Sequence, residues 1–158
     1  MKTPGNLREF AGLYTAAWCS QDAARVAAFY AEQGSLTING GARSVGRGAI
    51  QQAAQEFMTA FPDMKVLVDA LEEDSGHPIF RWTLIGTNTG PGGSGRRVLI
   101  SGYEEWTIGP DGLIQESQGH FDAEDYRRQE LVVSRRSLAG KQATLLGSRR
   151  LKGVARWF

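Results

Sequence analysis

Apolar residues in the first third of the chain recur at the three-and-four spacing of amphipathic helices. This spacing predicts a helix over residues 6–19 and a second one over residues 23–30. A third helix is predicted to begin at Gly46 and to end before Pro62, because proline cannot continue a helix. The N-terminal region therefore indicates three helices.

The apolar spacing changes to a period of about two after Pro62, which is typical of β-strands that bury one face. A short earlier strand with a turn at Asn39-Gly40-Gly41 precedes the third helix, and a last helix is predicted from Ala123 to about Ser134. The later strands are predicted at 64–68, 79–88, 98–108 and 113–121. Helices first and strands later predict an α+β fold, with a curved antiparallel sheet covered by helices on one face.

Length and composition are those of one globular domain. A chain of 158 residues with 41% hydrophobic residues can bury a core without disulfides or a structural metal. Cys19 is the single cysteine and the chain has two histidines, so no Cys/His metal cluster is expected. We also expect no membrane span and a cytoplasmic protein, since neither a signal-like segment nor a run of roughly 20 apolar residues occurs.

The charge is divided unevenly along the chain. Residues 1–126 contain nine Lys/Arg and sixteen Asp/Glu, whereas residues 127–158 contain nine Lys/Arg and only one acidic residue. We therefore predict a folded domain over 1–133 and a basic C-terminal tail over 134–158. The tail is interpreted as a solvated extension, with an oligomer arm or a contact to an anionic partner as alternatives.

Three segments of the chain carry recognisable motifs. They are Gly46-Arg47-Gly48-Ala49-Ile50, residues 81–90 with the end Gly86-Thr87-Asn88-Thr89-Gly90, and residues 102–114 with an acid, an aromatic residue and an Asp-Gly turn. In this order they resemble the loop that enters the third helix, the strand with a GTHxG-like end and the following hairpin of the superfamily that includes nuclear transport factor 2, ketosteroid isomerase and the SnoaL-like polyketide cyclases. The similarity covers residues 5–130.

The resemblance implies a cone-shaped half-barrel around a pocket for a small hydrophobic molecule. It further implies a homodimer that needs no cofactor and binds no nucleic acid. The residues expected to bind the substrate are Tyr14, Trp18, Phe57, Trp82, Asn88, Trp106 and Gln118. Asn88 replaces a histidine and Gln118 replaces a tryptophan of many SnoaL-like chains, so the roles of those two family residues do not transfer directly.

Four residues qualify for acid/base catalysis, namely Glu104, Glu116, His120 and Asp122, and such catalysis is assisted when an apolar pocket raises a carboxyl pKa towards neutrality. Glu104 matches the pocket acid of ketosteroid isomerases, unless it faces solvent. Asp122 matches the acid/base aspartate of SnoaL-like cyclases, but it also fits the N-cap of a helix. His120 is the only histidine inside a predicted strand, and histidine is a common acid/base residue, although a structural role is the alternative. A bulge at Gly119 would reverse which face of the last strand, including Glu116, lines the pocket.

The function expected from these features is acid/base chemistry on a hydrophobic carbonyl or polyketide-like compound, either isomerisation or aldol-type cyclisation. Two alternatives remain open at this stage. One is a non-catalytic domain for ligand binding or dimerisation, and the other is an epoxide hydrolase or dehydratase that uses the same pocket.

Overall fold

A computed structural model of the chain describes residues 7–74 and 76–131, which contain four helices and six strands. The helices are α1 (Leu7–Cys19), α2 (Ala23–Ala27), α3 (Arg47–Ala60) and α4 (Ala123–Leu131). The strands are β1 (Tyr30–Ile38), β2 (Arg43–Val45), β3 (Lys65–Asp74), β4 (His77–Thr87), β5 (Arg97–Ile108) and β6 (Ile114–Phe121). The predicted tail over 134–158 lies outside the described residues.

All six strands belong to one curved sheet in the order β2-β1-β6-β5-β4-β3. The sheet does not close, since β2 and β3 are its two edges. Four of the neighbouring pairs are antiparallel, whereas β1 and β6 run parallel. The α+β prediction with a curved sheet is confirmed, and the sheet is mixed because of this single parallel pair.

The second helix is shorter than predicted. It ends at Ala27, and Tyr30 already belongs to β1, where it pairs with Ile114. Gly34 lies in this strand, where an added Cβ would come within 2.7 Å of the Ile114 carbonyl oxygen. Glycine at this position allows the close approach of two backbones.

The sheet turns one face towards α1 and α3 and leaves the other face partly exposed. Alternate residues of β4 and β5 are buried on the inner face, as period-two strands require. The core includes the fully buried aromatic side chains of Tyr14, Tyr30, Phe61, Phe80 and Trp106. Each such side chain contributes about 1.5–3 kcal/mol by leaving water, so the inner face supplies much of the stability and also the walls of a pocket.

Helix α4 covers the end of β5 that extends beyond β6. The Gln129 side chain accepts a hydrogen bond from the Leu99 backbone N–H at 2.7 Å and donates one to the Leu99 carbonyl oxygen at 2.7 Å. Backbone groups at an unpaired strand edge need such partners. The side chain thus replaces the missing neighbouring strand and fixes α4 against the sheet.

Candidate functional site

A pocket that is partly open to solvent lies between the inner face of the sheet and the helices. Every lining residue except glutamate and glycine is apolar or aromatic. The lining consists of Trp18, Leu36, Ile38, Phe57, Val66, Phe80, Trp82, Leu84, Ile100, Glu104, Gly119 and Phe121. A lining of this character suits a small hydrophobic ligand oriented by few polar groups.

Glu104 is the one titratable residue of this lining, and it is only 7% exposed. Its Oε1 atom accepts hydrogen bonds from the Trp106 indole at 2.7 Å, the Ser117 hydroxyl at 2.9 Å and the Tyr14 hydroxyl at 3.0 Å. The Oε2 atom has a single longer contact, 3.3 Å to the same Tyr14 hydroxyl. One oxygen is therefore held in place by three donors, and the other, with one longer hydrogen bond, keeps a lone pair for a ligand.

Two tyrosines extend the hydrogen bonding away from the pocket. The Tyr14 and Tyr30 hydroxyl oxygens are 2.7 Å apart. Because Tyr14 donates its proton to Glu104, Tyr30 must be the donor to Tyr14. Both side chains are fully buried. The result is a short relay from Tyr30 through Tyr14 to the carboxyl group.

Burial raises the pKa of the Glu104 carboxyl above its usual range, because the carboxylate loses hydration among apolar side chains. Hydrogen bonds from Trp106, Ser117 and Tyr14 favour the charged form and offset part of this increase in pKa. Burial also raises the pKa of both tyrosines, and the nearby Glu104 charge raises their pKa further. The tyrosines consequently act as neutral donors, and the carboxyl is the group that can exchange a proton.

Trp106 holds Glu104 from the core side, away from the pocket. It is two residues further along β5, so both side chains project to the inner face, as predicted. Its ring stacks on Phe80 with centroids 5.0 Å apart and meets Tyr14 edge to face at 5.3 Å. The indole is fully buried and is not part of the pocket lining. The predicted contact of Trp106 with a ligand is thus replaced by a contact with the carboxyl group.

The other predicted aromatic residues divide between the wall and the layer behind it. Trp18, Phe57 and Trp82 line the pocket, and the rings of Trp18 and Phe57 meet edge to face at 6.0 Å. Tyr14 lies behind the lining, where it contacts Glu104. The predicted convergence of these side chains on one site is therefore present, with two layers instead of one.

Glu116, Gln118 and His120 point to the opposite face of the sheet. Ser117, Gly119 and Phe121 occupy the inner face of β6, and the irregularity between β5 and β6 lies at Thr107/Ile108 rather than at Gly119.

On the outer face, the His120 ring stacks on Tyr103 at 4.7 Å, and its Nε2 atom is 3.1 Å from Glu105. Gln118 donates a hydrogen bond to Glu116 at 2.7 Å. The expectation that His120 and Gln118 reach the pocket is corrected by this register.

Asn88 and Asp122 lie outside the pocket lining as well. The Asn88 amide donates hydrogen bonds to Tyr126 and Glu130, so it fastens α4 to the end of β4. Asp122 is exposed, and its Oδ1 atom accepts from the backbone N–H groups of Glu124 and Asp125 at 3.0 and 3.1 Å. The N-cap interpretation of Asp122 is therefore confirmed. Asp122 is not among the residues that line the pocket.

Sequence reasoning missed Ser117 and Tyr30. Ser117 is directly opposite Trp106 on β6, and Tyr30 begins β1 next to Ile114. Both are fully buried polar side chains near Glu104. Ser117 is one of several polar residues in β6, and the sequence gave no reason to select it. Tyr30 was assigned to the second helix. Their roles follow only from the pairing of β6 with its two neighbours.

The described residues contain neither a membrane-spanning helix nor a metal-binding cluster. No helix within 7–74 or 76–131 combines the length and the apolar character needed to cross a bilayer. In the same residues, no three His, Cys, Asp or Glu side chains are close enough to hold a metal ion together.

Comparison with solved structures shows many proteins of the same architecture. A candidate polyketide cyclase from Xanthomonas campestris pv. campestris has a TM-score of 0.70 at 17% identity, over 80% of this chain and 97% of that one. A ketosteroid isomerase-like protein from Catenulispora acidiphila, in complex with trimethylamine, has a TM-score of 0.68 at 15% identity, over 82% and 94%.

The epoxide hydrolase/cyclase-like enzyme SalBIII, which has a role in pyran ring formation in the polyether salinomycin, gives a TM-score of 0.68 at 18% identity. The alignment covers 79% of this chain and 97% of that enzyme. At such low identity these proteins show a shared fold alone.

Two sequence comparisons complete the assignment. None of the curated proteins has significant sequence similarity to this chain. The family model for SnoaL-like polyketide cyclases, in contrast, matches residues 8–130. The match covers all six strands and nearly all of the four helices, including every residue around Glu104. The chain belongs to the SnoaL-like polyketide cyclase family.

Proposed function

We propose that this protein is an enzyme that moves a proton on a hydrophobic carbonyl compound, with Glu104 as the general base. The observation that carries the proposal is the single carboxyl group in an otherwise apolar pocket, held by three hydrogen bonds at Oε1 and by one longer hydrogen bond at Oε2. Family membership supports chemistry on a polyketide-like substrate. SalBIII has the same fold and a role in pyran ring formation, which agrees with a ring closure as the reaction.

The reaction begins when a ketone binds with its α-carbon near the Oε2 atom of Glu104. The carboxylate takes the α-proton and becomes a carboxylic acid, while the electron pair of the C–H bond forms an enolate. In an isomerisation the acid returns the proton to a different carbon of the conjugated system. In an aldol-type cyclisation the enolate carbon attacks a second carbonyl, and the acid protonates the new alkoxide.

The environment of Glu104 suits this task. A raised pKa makes the carboxylate a stronger base than an exposed glutamate, and it brings the proton affinity closer to that needed at neutral pH. The donors Trp106, Ser117 and Tyr14 hold Oε1 and prevent the side chain from turning away.

The test is exchange of the α-protons of 1-tetralone for deuterium in D₂O, followed by NMR and corrected for the uncatalysed rate. We expect the wild-type protein to accelerate exchange and Glu104→Gln to reduce the rate by roughly 10²- to 10⁴-fold, which is the usual contribution of a general base. Glu105→Gln is the matched control, because Glu105 is the exposed neighbour on the outer face. Binding of the ketone without exchange would favour the non-catalytic alternative.

A homodimer is proposed to accompany this function, as the family resemblance implies. Sedimentation equilibrium of the full chain tests this proposal directly. A mass of a single chain at micromolar concentration contradicts it.

A further inference from the structure

A second polar group of the pocket wall, the indole N–H of Trp82, has no hydrogen-bond partner. Among the described residues, three buried side-chain polar atoms are unpaired: Ser35 Oγ, Trp82 Nε1 and Arg96 Nε. Only Trp82 also lines the pocket. Buried donors are rarely left unpaired because each one has lost its bond to water. An unpaired donor in a pocket wall is therefore a candidate for binding a ligand acceptor.

Gly102 leaves the space that the Trp82 indole occupies. Trp82 on β4 pairs with Gly102 on β5. A Cβ at Gly102 would come within 2.6 Å of Cζ2 and 2.9 Å of Cη2 of the tryptophan, so the ring lies directly over the glycine backbone. Glycine at this position allows the ring to lie flat on the sheet. The placement of the N–H is thus fixed by two strands together.

Trp82 and Glu104 are close neighbours on the inner face of the sheet. Gly102 and Glu104 are two residues apart on β5, so Trp82 and Glu104 are diagonal neighbours, with backbones roughly 7–8 Å apart. Both side chains also line the same pocket. One molecule can contact both groups.

We propose that the Trp82 indole N–H donates a hydrogen bond to the carbonyl oxygen of the ligand while Glu104 acts on the adjacent carbon. The inference rests on the proposed function for the class of ligand, and it adds the group that stabilises the enolate oxygen. Trp82 thereby selects ketones over hydrocarbons of the same shape, because only a ketone supplies the missing acceptor.

A ligand reaches this N–H after a small rearrangement of the wall. The Nε1 atom is covered, although the Trp82 side chain as a whole is only half-buried. Phe121 is also half-buried, and its ring centroid is 6.3 Å from that of Trp82. The proposed hydrogen bond requires the Phe121 ring to turn towards solvent while Trp82 keeps its place over Gly102.

The experiment compares binding of 1-tetralone and of tetralin, which has the same ring skeleton without the oxygen. We expect the wild-type protein to prefer the ketone, and Trp82→Phe to weaken ketone binding about tenfold or more with little change for tetralin. Trp18→Phe is the matched control, since it removes an indole from another part of the same wall. It should affect both ligands alike and preserve their ratio.

Two further measurements separate hydrogen bonding from packing. The C=O stretching band of bound 1-tetralone should lie at lower frequency in the wild type and in Trp18→Phe than in Trp82→Phe. Replacement of Trp82 by 3-benzothienylalanine keeps the ring shape and removes the N–H. This replacement should reproduce the loss of ketone preference without lowering the melting temperature, because the lost donor has no partner in the protein.

An unchanged ketone-to-tetralin ratio or an unchanged C=O band in the benzothienylalanine protein overturns the inference about Trp82 and leaves Glu104 catalysis intact. Absence of deuterium exchange, with a ketone preference that depends on Trp82, overturns the proposed function and supports the binding site. Absence of any binding of 1-tetralone to the wild-type protein overturns both.

Discussion

The raised pKa of Glu104 predicts that this one side chain makes the folded protein less stable as the pH rises. In the unfolded chain a glutamate ionises near pH 4.3, whereas burial raises the pKa of folded Glu104 above that value. Below pH 4.3 both states hold the proton, so the full stability is present. As the pH rises from there to the folded pKa, the unfolded state loses its proton first, and the free energy of unfolding falls.

The size of this effect is about 1.4 kcal/mol for each unit by which folding raises the pKa. Glu104→Gln removes the titration and retains an oxygen that accepts from Trp106, Ser117 and Tyr14. The stability of this variant relative to wild type should therefore increase between about pH 4.3 and the folded pKa. Glu104→Leu leaves buried donors unpaired, above all the Trp106 N–H, at a cost of about 1–3 kcal/mol for each donor that finds no other acceptor.

Urea unfolding of the wild type and both variants between pH 4 and pH 8 measures these differences. The expected result is that Glu104→Leu is the least stable protein at low pH, and that its deficit against wild type shrinks as the pH rises. Glu105→Gln provides the control for loss of a surface carboxylate. A difference between Glu104→Gln and wild type that is constant with pH would refute the reasoning, since it would show that burial does not shift the Glu104 proton equilibrium.

Two further variants test the surroundings of the carboxyl group. Tyr14→Phe removes a donor that favours the charged form of Glu104, so the pKa of Glu104 should rise further. The acid side of the pH–rate profile for deuterium exchange should therefore move to higher pH. An unmoved profile contradicts the relay. Asp122→Asn preserves an N-cap acceptor and should keep both stability and exchange activity, whereas Asp122→Ala should lose about 1 kcal/mol of stability, measured by thermal unfolding. Loss of exchange in a folded Asp122→Asn protein would return the catalytic role to Asp122.

The inward orientation of Glu104 was predictable because it depends on a local rule. Successive residues of a strand point to opposite faces, so the sequence Glu104-Glu105-Trp106 places the glutamate and the tryptophan together and the other glutamate outside. The large buried tryptophan identifies the inner face. The resemblance to ketosteroid isomerase supported the same choice with independent information.

The orientation of β6 was not predictable, because it depends on the register with β5. Gly119 pairs with Glu104, and this pairing places Ser117 and Phe121 on the inner face and His120 on the outer face. A shift of one residue would have reversed both assignments. Glycine in a strand is typical both of a bulge and of a close approach, so the sequence did not distinguish the two possibilities.

Asp122 shows why position within a family pattern and role in the site differ. It follows the last strand at the place where similar cyclases carry an acid, yet its side chain caps the helix that begins one residue later. An N-cap aspartate gives its oxygen to backbone N–H groups and remains next to solvent. The carboxyl group that is desolvated is Glu104, on the neighbouring strand.

The presence of one carboxyl group in the pocket restricts the chemistry that the site can perform. The group that removes a proton must also return it, or give it to another atom of the same substrate, because no second titratable side chain lines the described pocket. This requirement favours a proton shift within one molecule or a ring closure, in which the proton taken from carbon is given back to carbon or oxygen. A reaction that consumes water needs in addition a group to protonate the leaving oxygen. With Oε1 occupied by three donors, the proposed function assigns each of these proton transfers to Oε2.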